Sequence, residues 1–180
     1  MKAKGLLLDR DGVVNRDTGF IGRKEDFVFI PDLFPFLRRM RDQGYRVAIV
    51  TNQSGVARGY FTATDYYDLT CWMLAELAAE GITIDLVLAS FEHQEAKTEE
   101  YRRGSYWRKP NPGMILEAAL RLDLDLSRSI MIGDSARDIT AAQAAGVRRL
   151  CLYGDDDKQE KEGTVRITSY MQLVEMSLLE

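Results

Sequence analysis

The chain has 180 residues, 46% of them apolar, with 24 Lys and Arg against 28 Asp and Glu and a net charge of −4. That length suits one domain burying about 70% of its unfolded surface, and the mild acidity advertises no nucleic-acid partner. One histidine, His93, and two cysteines, Cys71 and Cys151, are too few for a four-ligand Cys/His zinc site; they leave histidine-based hydrolysis to a single side chain and suit a reducing compartment.

Lys2 and Lys4 precede an apolar run, but it stops at Asp9, short of a signal-peptide core, and no stretch reaches the ~18–20 apolar residues of a membrane span. The reading is a soluble cytoplasmic protein with no membrane partner. Residues 5–9 form a short apolar run ending in acid, the pattern of a buried strand. Residues 32–43 follow a helical period, with Leu33, Phe36, Leu37 and Met40 on one face and Gly44 as the stop. The β-branched run 46–51 is the second strand. Thr62, with Asp65 three residues later, opens a helix to about residue 80, burying Leu69, Trp72, Met73 and Leu77 and closed by Gly81.

A third strand is expected at 85–89, a helix at 112–122, a fourth strand at 129–133, a helix at 138–145 before Gly146, and a fifth strand at 149–152. Ser169 and Gln172 make a capping box for a terminal helix over 169–179. Residues 90–112 read as a long charged loop and 155–163 as a solvated run of mixed charge. Strands alternating with helices imply βαβ units around a mainly parallel sheet. The expected fold is therefore α/β, a Rossmann-like three-layer sandwich in a single domain over 1–180.

In such a sheet ligands gather beyond the carboxyl ends of the strands, where the unusual residues cluster. The first strand delivers Asp9, Arg10, Asp11 and Gly12; the second Thr51 to Gly55; the fourth Gly133 and Asp134, with Asp138 following. Arg108 and Lys109 precede the helix at 112. Each cluster alone has an ordinary reading as a turn or a cap, but four together, with four acids and a lysine, suit phosphoryl transfer. A carboxylate can attack phosphorus. The repulsion between two anions then calls for Mg2+, which takes oxygen ligands such as Asp9 and Asp134. Asp11 could protonate the leaving group and later activate water, which requires its pKa to rise from about 3.9. Thr51, the Asn52 amide and Lys109 would hold the phosphoryl oxygens.

These motifs resemble the haloacid dehalogenase superfamily of phosphatases: Asp9-Arg10-Asp11-Gly12-Val13-Val14-Asn15, then Thr51, Lys109, and Gly133-Asp134-Ser135 with Asp138, in that order. Residues 51–59 and 108–114, with 27–29, 61–62 and 69–73, are similar to the D,D-heptose 1,7-bisphosphate phosphatase branch. The related histidinol-phosphate phosphatases share the aspartates and Arg108-Lys109-Pro110. The resemblance implies Asp9 as nucleophile, Asp11 as acid/base, and Thr51 and Lys109 as stabilisers of the phosphoryl group. It places Mg2+ on Asp9, the Asp11 carbonyl and Asp134, and substrate against Arg10, Asp17, Gly19, Phe20, Asn52, Gln53, Ser54 and Arg108. The implied activity is removal of a phosphate from a small phosphorylated sugar, a heptose bisphosphate first, with histidinol phosphate or another small sugar phosphate as the alternative. The chain should act as a monomer, with loops rather than a large cap shaping the pocket.

Two departures from the branch stand out. Its members often carry a zinc loop before Arg108, and the four ligand positions here hold Ser90, Glu92, Ser105 and Trp107. No zinc is expected, and the substrate-facing loop 90–112 should be held by Tyr101, Tyr106, Trp107 and charge pairs, with His93 an exposed loop residue. Ser135 stands where the branch often has lysine. A signalling receiver domain, the non-enzymatic alternative, expects its phosphorylated acid at the end of the third strand, where Ala89 and Ser90 stand.

Overall fold

The structure, a computed structural model, describes residues 2–155 and 163–176. Six parallel strands form one sheet: β1 (Ala3–Leu8), β2 (Tyr45–Asn52), β3 (Leu86–Ser90), β4 (Leu124–Gly133), β5 (Arg149–Tyr153) and β6 (Thr164–Ile167), in the order β3-β2-β1-β4-β5-β6. The helices are α1 (Leu33–Asp42), α2 (Ser54–Arg58), α3 (Ala63–Ala79), α4 (Gly113–Arg121), α5 (Ala136–Ala145) and α6 (Tyr170–Glu175).

The apolar runs of the central strands are continuous because both faces of the sheet are covered. Their side chains alternate between two cores. Leu6, Leu8, Val47, Ile49, Ile130 and Ile132 pack with α1, α3 and α6. Leu7, Ala48, Val50 and Met131 pack with α4 and α5. The three-layer α/β expectation holds. No helix among the described residues is long and apolar enough to cross a membrane.

Helix ends follow the sequence signals closely. Thr62 and Asp65 form a reciprocal capping box at α3, as do Ser169 and Gln172 at α6, and Gly146 closes α5 in the left-handed region at φ +87°. Trp72 is half-buried, edge-on to Phe27, and Tyr66 takes the fully buried place on α3. Strand β4 begins at Leu124 rather than 129. There Ser127 bonds back to Asp125 and the register against β1 shifts, which interrupts the apolar pattern. Strand β6 and helix α2 carry no periodicity long enough to be read. The part of the mixed-charge run at 156–162 and the end of the terminal helix at 177–179 lie outside the described residues.

Candidate active site

The strand order reverses between β1 and β4, and the crevice this opens at their carboxyl ends holds a buried ion-pair chain. Lys109, fully buried, directs its ammonium to Asp9 Oδ1 (3.0 Å), Asp138 Oδ1 (2.6 Å) and the Val50 carbonyl (2.7 Å). The Val50 carbonyl accepts a hydrogen bond from it, and the two carboxylates are its ion-pair partners. Burial alone would lower the Lys109 pKa; Asp138 and Asp9 outweigh it and raise it. Burial likewise favours neutral Asp138, but Lys109 and the Ser135 hydroxyl hold its pKa low. Asp138 also caps α5, accepting from Ser135 N (3.0 Å) and Ser135 Oγ (2.7 Å). Ser135 is thereby a helix cap, and the nearby cation on the cleft wall is Arg137.

Lys109 precedes a cis peptide to Pro110, and its backbone is pinned from both sides by one amide. Asn52 Oδ1 accepts from Lys109 N (3.1 Å), and Asn52 Nδ2 donates to Lys109 O (2.9 Å). The Asn52 side chain, expected against substrate, thus joins β2 to the start of the α4 segment, and the residue still lines the cleft.

Asp9 and Asp134 face each other across the switch point. Burial, opposed by Lys109 and aided by Asp138 and Asp11, pushes Asp9 up to about 6. Burial with Asp9 and Asp138 pushes Asp134 up to about 7. Carboxylate oxygens of Asp9, Asp134 and Asp138 lie within 4.8 Å of one another, and Asp134 Oδ1 is buried with no hydrogen-bond partner. Asp9 and Asp138 share Lys109, and Asp138 also has the α5 cap, which leaves Asp134 as the acid of the three without an ion pair among the described residues. An all-oxygen donor set of this kind fits Mg2+. Gly12 permits the close approach: at φ +79° it has the backbone that glycine favours, and a Cβ there would run into the Asp134 carboxylate.

Asp11 is enclosed by donors. Arg10 reaches it through Nε (3.0 Å) and Nη2 (2.9 Å), Asn15 Nδ2 at 3.0 Å and Gln53 Nε2 at 2.7 Å. Arg10 is buried, packs against the Phe27 and Tyr66 rings and donates to the Ile21 carbonyl (3.1 Å). Its guanidinium therefore faces Asp11 and the 17–21 segment, not the cleft. Thr51 is buried beside Gln53, whose Nε2 also donates to Thr51 Oγ1 (3.0 Å).

The cleft above these groups has a volume of about 300 Å³. Its floor is Asp9, Asp11 and Asp134. Its walls bring in the predicted Asp17, Gly19, Phe20, Ser54 and Arg108, together with Arg58, His93 and Arg137. Asp17 Oδ1 accepts from Gly19 N (2.9 Å), and Phe20 stacks on Tyr60 (4.3 Å between centroids) at the rim. Arg58, His93 and Arg137 escaped the sequence reading; Arg58 lies within the Ser-Gly-x-Ala-Arg-Gly run and was the one carrying a signal. Opposing charges split the cleft: acid at the strand ends, base at the mouth.

At the positions of the zinc ligands in the branch, Ser90 Oγ donates to Glu92 Oε2 (2.8 Å), Ser105 Oγ accepts from Trp107 N (3.1 Å), and Trp107 Nε1 donates to Ala89 O (2.9 Å). Phe91 packs edge-on to Tyr66 and Tyr101, and Arg103 pairs with Glu92 at 3.4 Å. Tyr101 and Trp107 thus pack as expected. Tyr106 does not: the residue is 64% exposed, and its carbonyl accepts the Gly113 amide (3.1 Å), so the backbone holds the chain there. His93 is partly enclosed, its Nε2 at 3.1 Å from Arg58 Nη2, with burial and the neighbouring Arg108 and Arg58 lowering its pKa.

A HAD-hydrolase-like family model matches residues 106–170, which include Lys109, Asp134 and Asp138. A D-glycero-alpha-D-manno-heptose-1,7-bisphosphate 7-phosphatase of Burkholderia mallei is 43% identical over 157 residues, 87% of this chain and 83% of that protein. The corresponding beta-named phosphatase of Rhodopseudomonas palustris is 44% identical over 150 residues, 83% of each. The structure of a D,D-heptose 1,7-bisphosphate phosphatase from B. bronchiseptica, complexed with magnesium and phosphate, superposes with a TM-score of 0.84 at 31% identity, covering 97% of this chain and 98% of that one. Similarity of this degree along most of both chains, on a matching fold, places the protein among the HAD-like phosphatases, in the heptose-1,7-bisphosphate 7-phosphatase family.

Proposed function

We propose that the protein removes the 7-phosphate from a D-glycero-D-manno-heptose 1,7-bisphosphate with Mg2+ as cofactor, as a monomer in the cytoplasm and without zinc. The observation that carries this reading is the buried Asp9–Lys109–Asp138 chain beside Asp134, at the floor of a cleft whose mouth is basic. Asp9 attacks phosphorus, an Asp9 O–P bond forms, and the bond to the sugar oxygen breaks as Asp11 delivers a proton to it. Water then attacks the phosphorus of that intermediate, giving its proton to Asp11, and inorganic phosphate leaves with Asp9 restored. Thr51, Lys109 and the Asn52 amide hold the phosphoryl oxygens as charge shifts among them. Mg2+ on Asp9, the Asp11 carbonyl and Asp134 would neutralise charge on the phosphoryl group as the two anions meet.

Asp17, Gly19, Phe20, Ser54 and Arg108 would contact the sugar, and Arg58, Arg108 and Arg137 offer the second phosphate a cationic partner. Arg10 would contribute through Asp11 and the Ile21 carbonyl. The side-chain hydrogen bonds and ring packing of the 90–112 segment support a loop that needs no metal staple. The exposed free Cys71 suits a reducing compartment.

Phosphate release with Mg2+ tests the substrate directly. Both anomers of the heptose bisphosphate, histidinol phosphate and simple hexose phosphates should be compared. The expected result is a kcat/KM at least about 100-fold higher for a heptose bisphosphate than for a hexose monophosphate, since the monophosphate lacks the second phosphate for the arginines to bind. Asp9→Asn should abolish turnover of every substrate. Comparable rates across the panel would overturn the heptose assignment, and turnover by Asp9→Asn would overturn the mechanism.

A further inference from the structure

Gln53 is 3% exposed and opens α2, its backbone amide held by the Ser90 carbonyl at 2.7 Å. Its side-chain nitrogen stands between two groups that the reaction uses: Asp11 Oδ2 at 2.7 Å and Thr51 Oγ1 at 3.0 Å. An ionised carboxylate only accepts, and with Arg10 and Asn15 also donating to Asp11 the amide presents its nitrogen there. Both amide protons then have acceptors. That leaves the amide nitrogen no proton for a sugar hydroxyl.

The second contact has a directional consequence. Thr51 Oγ1, by accepting from Gln53, keeps its own hydrogen away from Gln53. That hydrogen has no acceptor among the described residues and can be directed to a phosphoryl oxygen. On the other side the same nitrogen, with Asn15 and Arg10, limits how Asp11 can rotate.

We propose that Gln53 is a positioning residue of this reaction: one amide aims the Asp11 carboxyl at the leaving oxygen and the Thr51 hydroxyl at the phosphoryl group. This rests on the phosphatase reading above. Acid/base assistance contributes about 10²–10⁴-fold in enzymes generally. Misaiming Asp11 should therefore cost about 100-fold where the leaving oxygen needs a proton, and much less where it does not.

The test compares Gln53→Met, similar in length but without donors, with the unaltered enzyme on two substrates: the heptose bisphosphate, or whichever alkyl phosphate the unaltered enzyme hydrolyses best, and p-nitrophenyl phosphate, whose phenolate leaves unprotonated. The proposal expects kcat/KM on the alkyl phosphate to fall about 100-fold, mainly through kcat, and by under about tenfold on the phenyl ester. Gln53→Glu, which keeps the shape and loses the donors, should reproduce the split between substrates. A rise in KM with kcat unchanged would make Gln53 a sugar ligand, and equal losses on both substrates would make it merely structural; either overturns the proposal. If Gln53→Met does not fold, the Gln53→Glu split decides alone. Failure of the unaltered enzyme to hydrolyse a heptose bisphosphate removes the substrate reading and leaves this comparison intact.

Discussion

The strand-end cradle and the 90–112 segment meet at Arg108 and Lys109, yet they are built on different principles. In the cradle, Lys109 pairs with two carboxylates and donates to a carbonyl, and Asp138 serves both an ammonium and a helix cap. One atom moved there leaves a buried charge unmatched, at a cost of several kcal/mol. In the segment, Phe91, Tyr101 and Trp107 pack as half-buried rings, while the Arg103–Glu92 pair faces solvent at its Arg103 end. Such contacts are individually small and replaceable. On the zinc-free reading proposed above, packing in the segment would replace a metal staple without disturbing the cradle. Charge in low dielectric admits few arrangements, and a loop that only has to present an arginine admits many.

Three measurements would break or sharpen that contrast. The largest effect should come from Asp138→Asn, which leaves Lys109 with a single carboxylate and weakens the α5 cap. We expect about 3 kcal/mol of destabilisation, a fall in Tm of about 10 °C, and loss of most activity, read by thermal melting and phosphate release. A Tm within about 2 °C of the parent would show that the cradle tolerates substitution as the loop does.

The second effect is a coupling between pH and metal. With Asp9 held up near about 6 and Asp134 near about 7, both keep protons in the metal-free folded protein at a pH where the unfolded chain has released them. A raised carboxylate pKa contributes stability that is complete below about pH 4 and is lost as pH climbs through about 6 to 7. Mg2+ binds the ionised pair, so the rise in Tm on adding Mg2+ should be larger near pH 8 than near pH 5. An equal rise at both pH values would contradict this.

The smallest effect belongs to the loop. Phe91→Ala should raise KM for the bisphosphate by about three- to tenfold, with kcat within twofold and Tm lowered by only a few degrees, because the ring is half-buried and its neighbours can close in. A zinc-selective chelator should leave the rate unchanged. A collapse of kcat, or inhibition by the chelator, would make the loop part of the chemistry.

The course of the chain was legible over most of its length because its signals are local. Apolar runs ending in acid marked β1 and β4, and the Thr62–Asp65 and Ser169–Gln172 spacings marked helix starts, each within a few residues. Asp9, Asp11, Thr51 and Asp134 were placed at one edge because a parallel sheet delivers whatever follows its strands there; Lys109 follows no strand directly and was picked out by its motif. The β6 strand was not, being four residues with an arginine at an edge, where the one-sided burial that creates a pattern is weakest. Nor was the outward turn of Tyr106, where a backbone hydrogen bond removes the need for ring packing.

By itself, then, the sequence determined the layers, the strand ends and the kinds of groups that meet there. The tertiary structure decided which group serves which. Asn52 grips the Lys109 backbone 57 positions away, Gln53 reaches Asp11 across 42, and Arg10 turns inward to Asp11 and Ile21. Periodicity describes what one element hides and shows, but a hydrogen bond also has a direction. Directions are settled only when distant elements pack and every buried donor must find an acceptor.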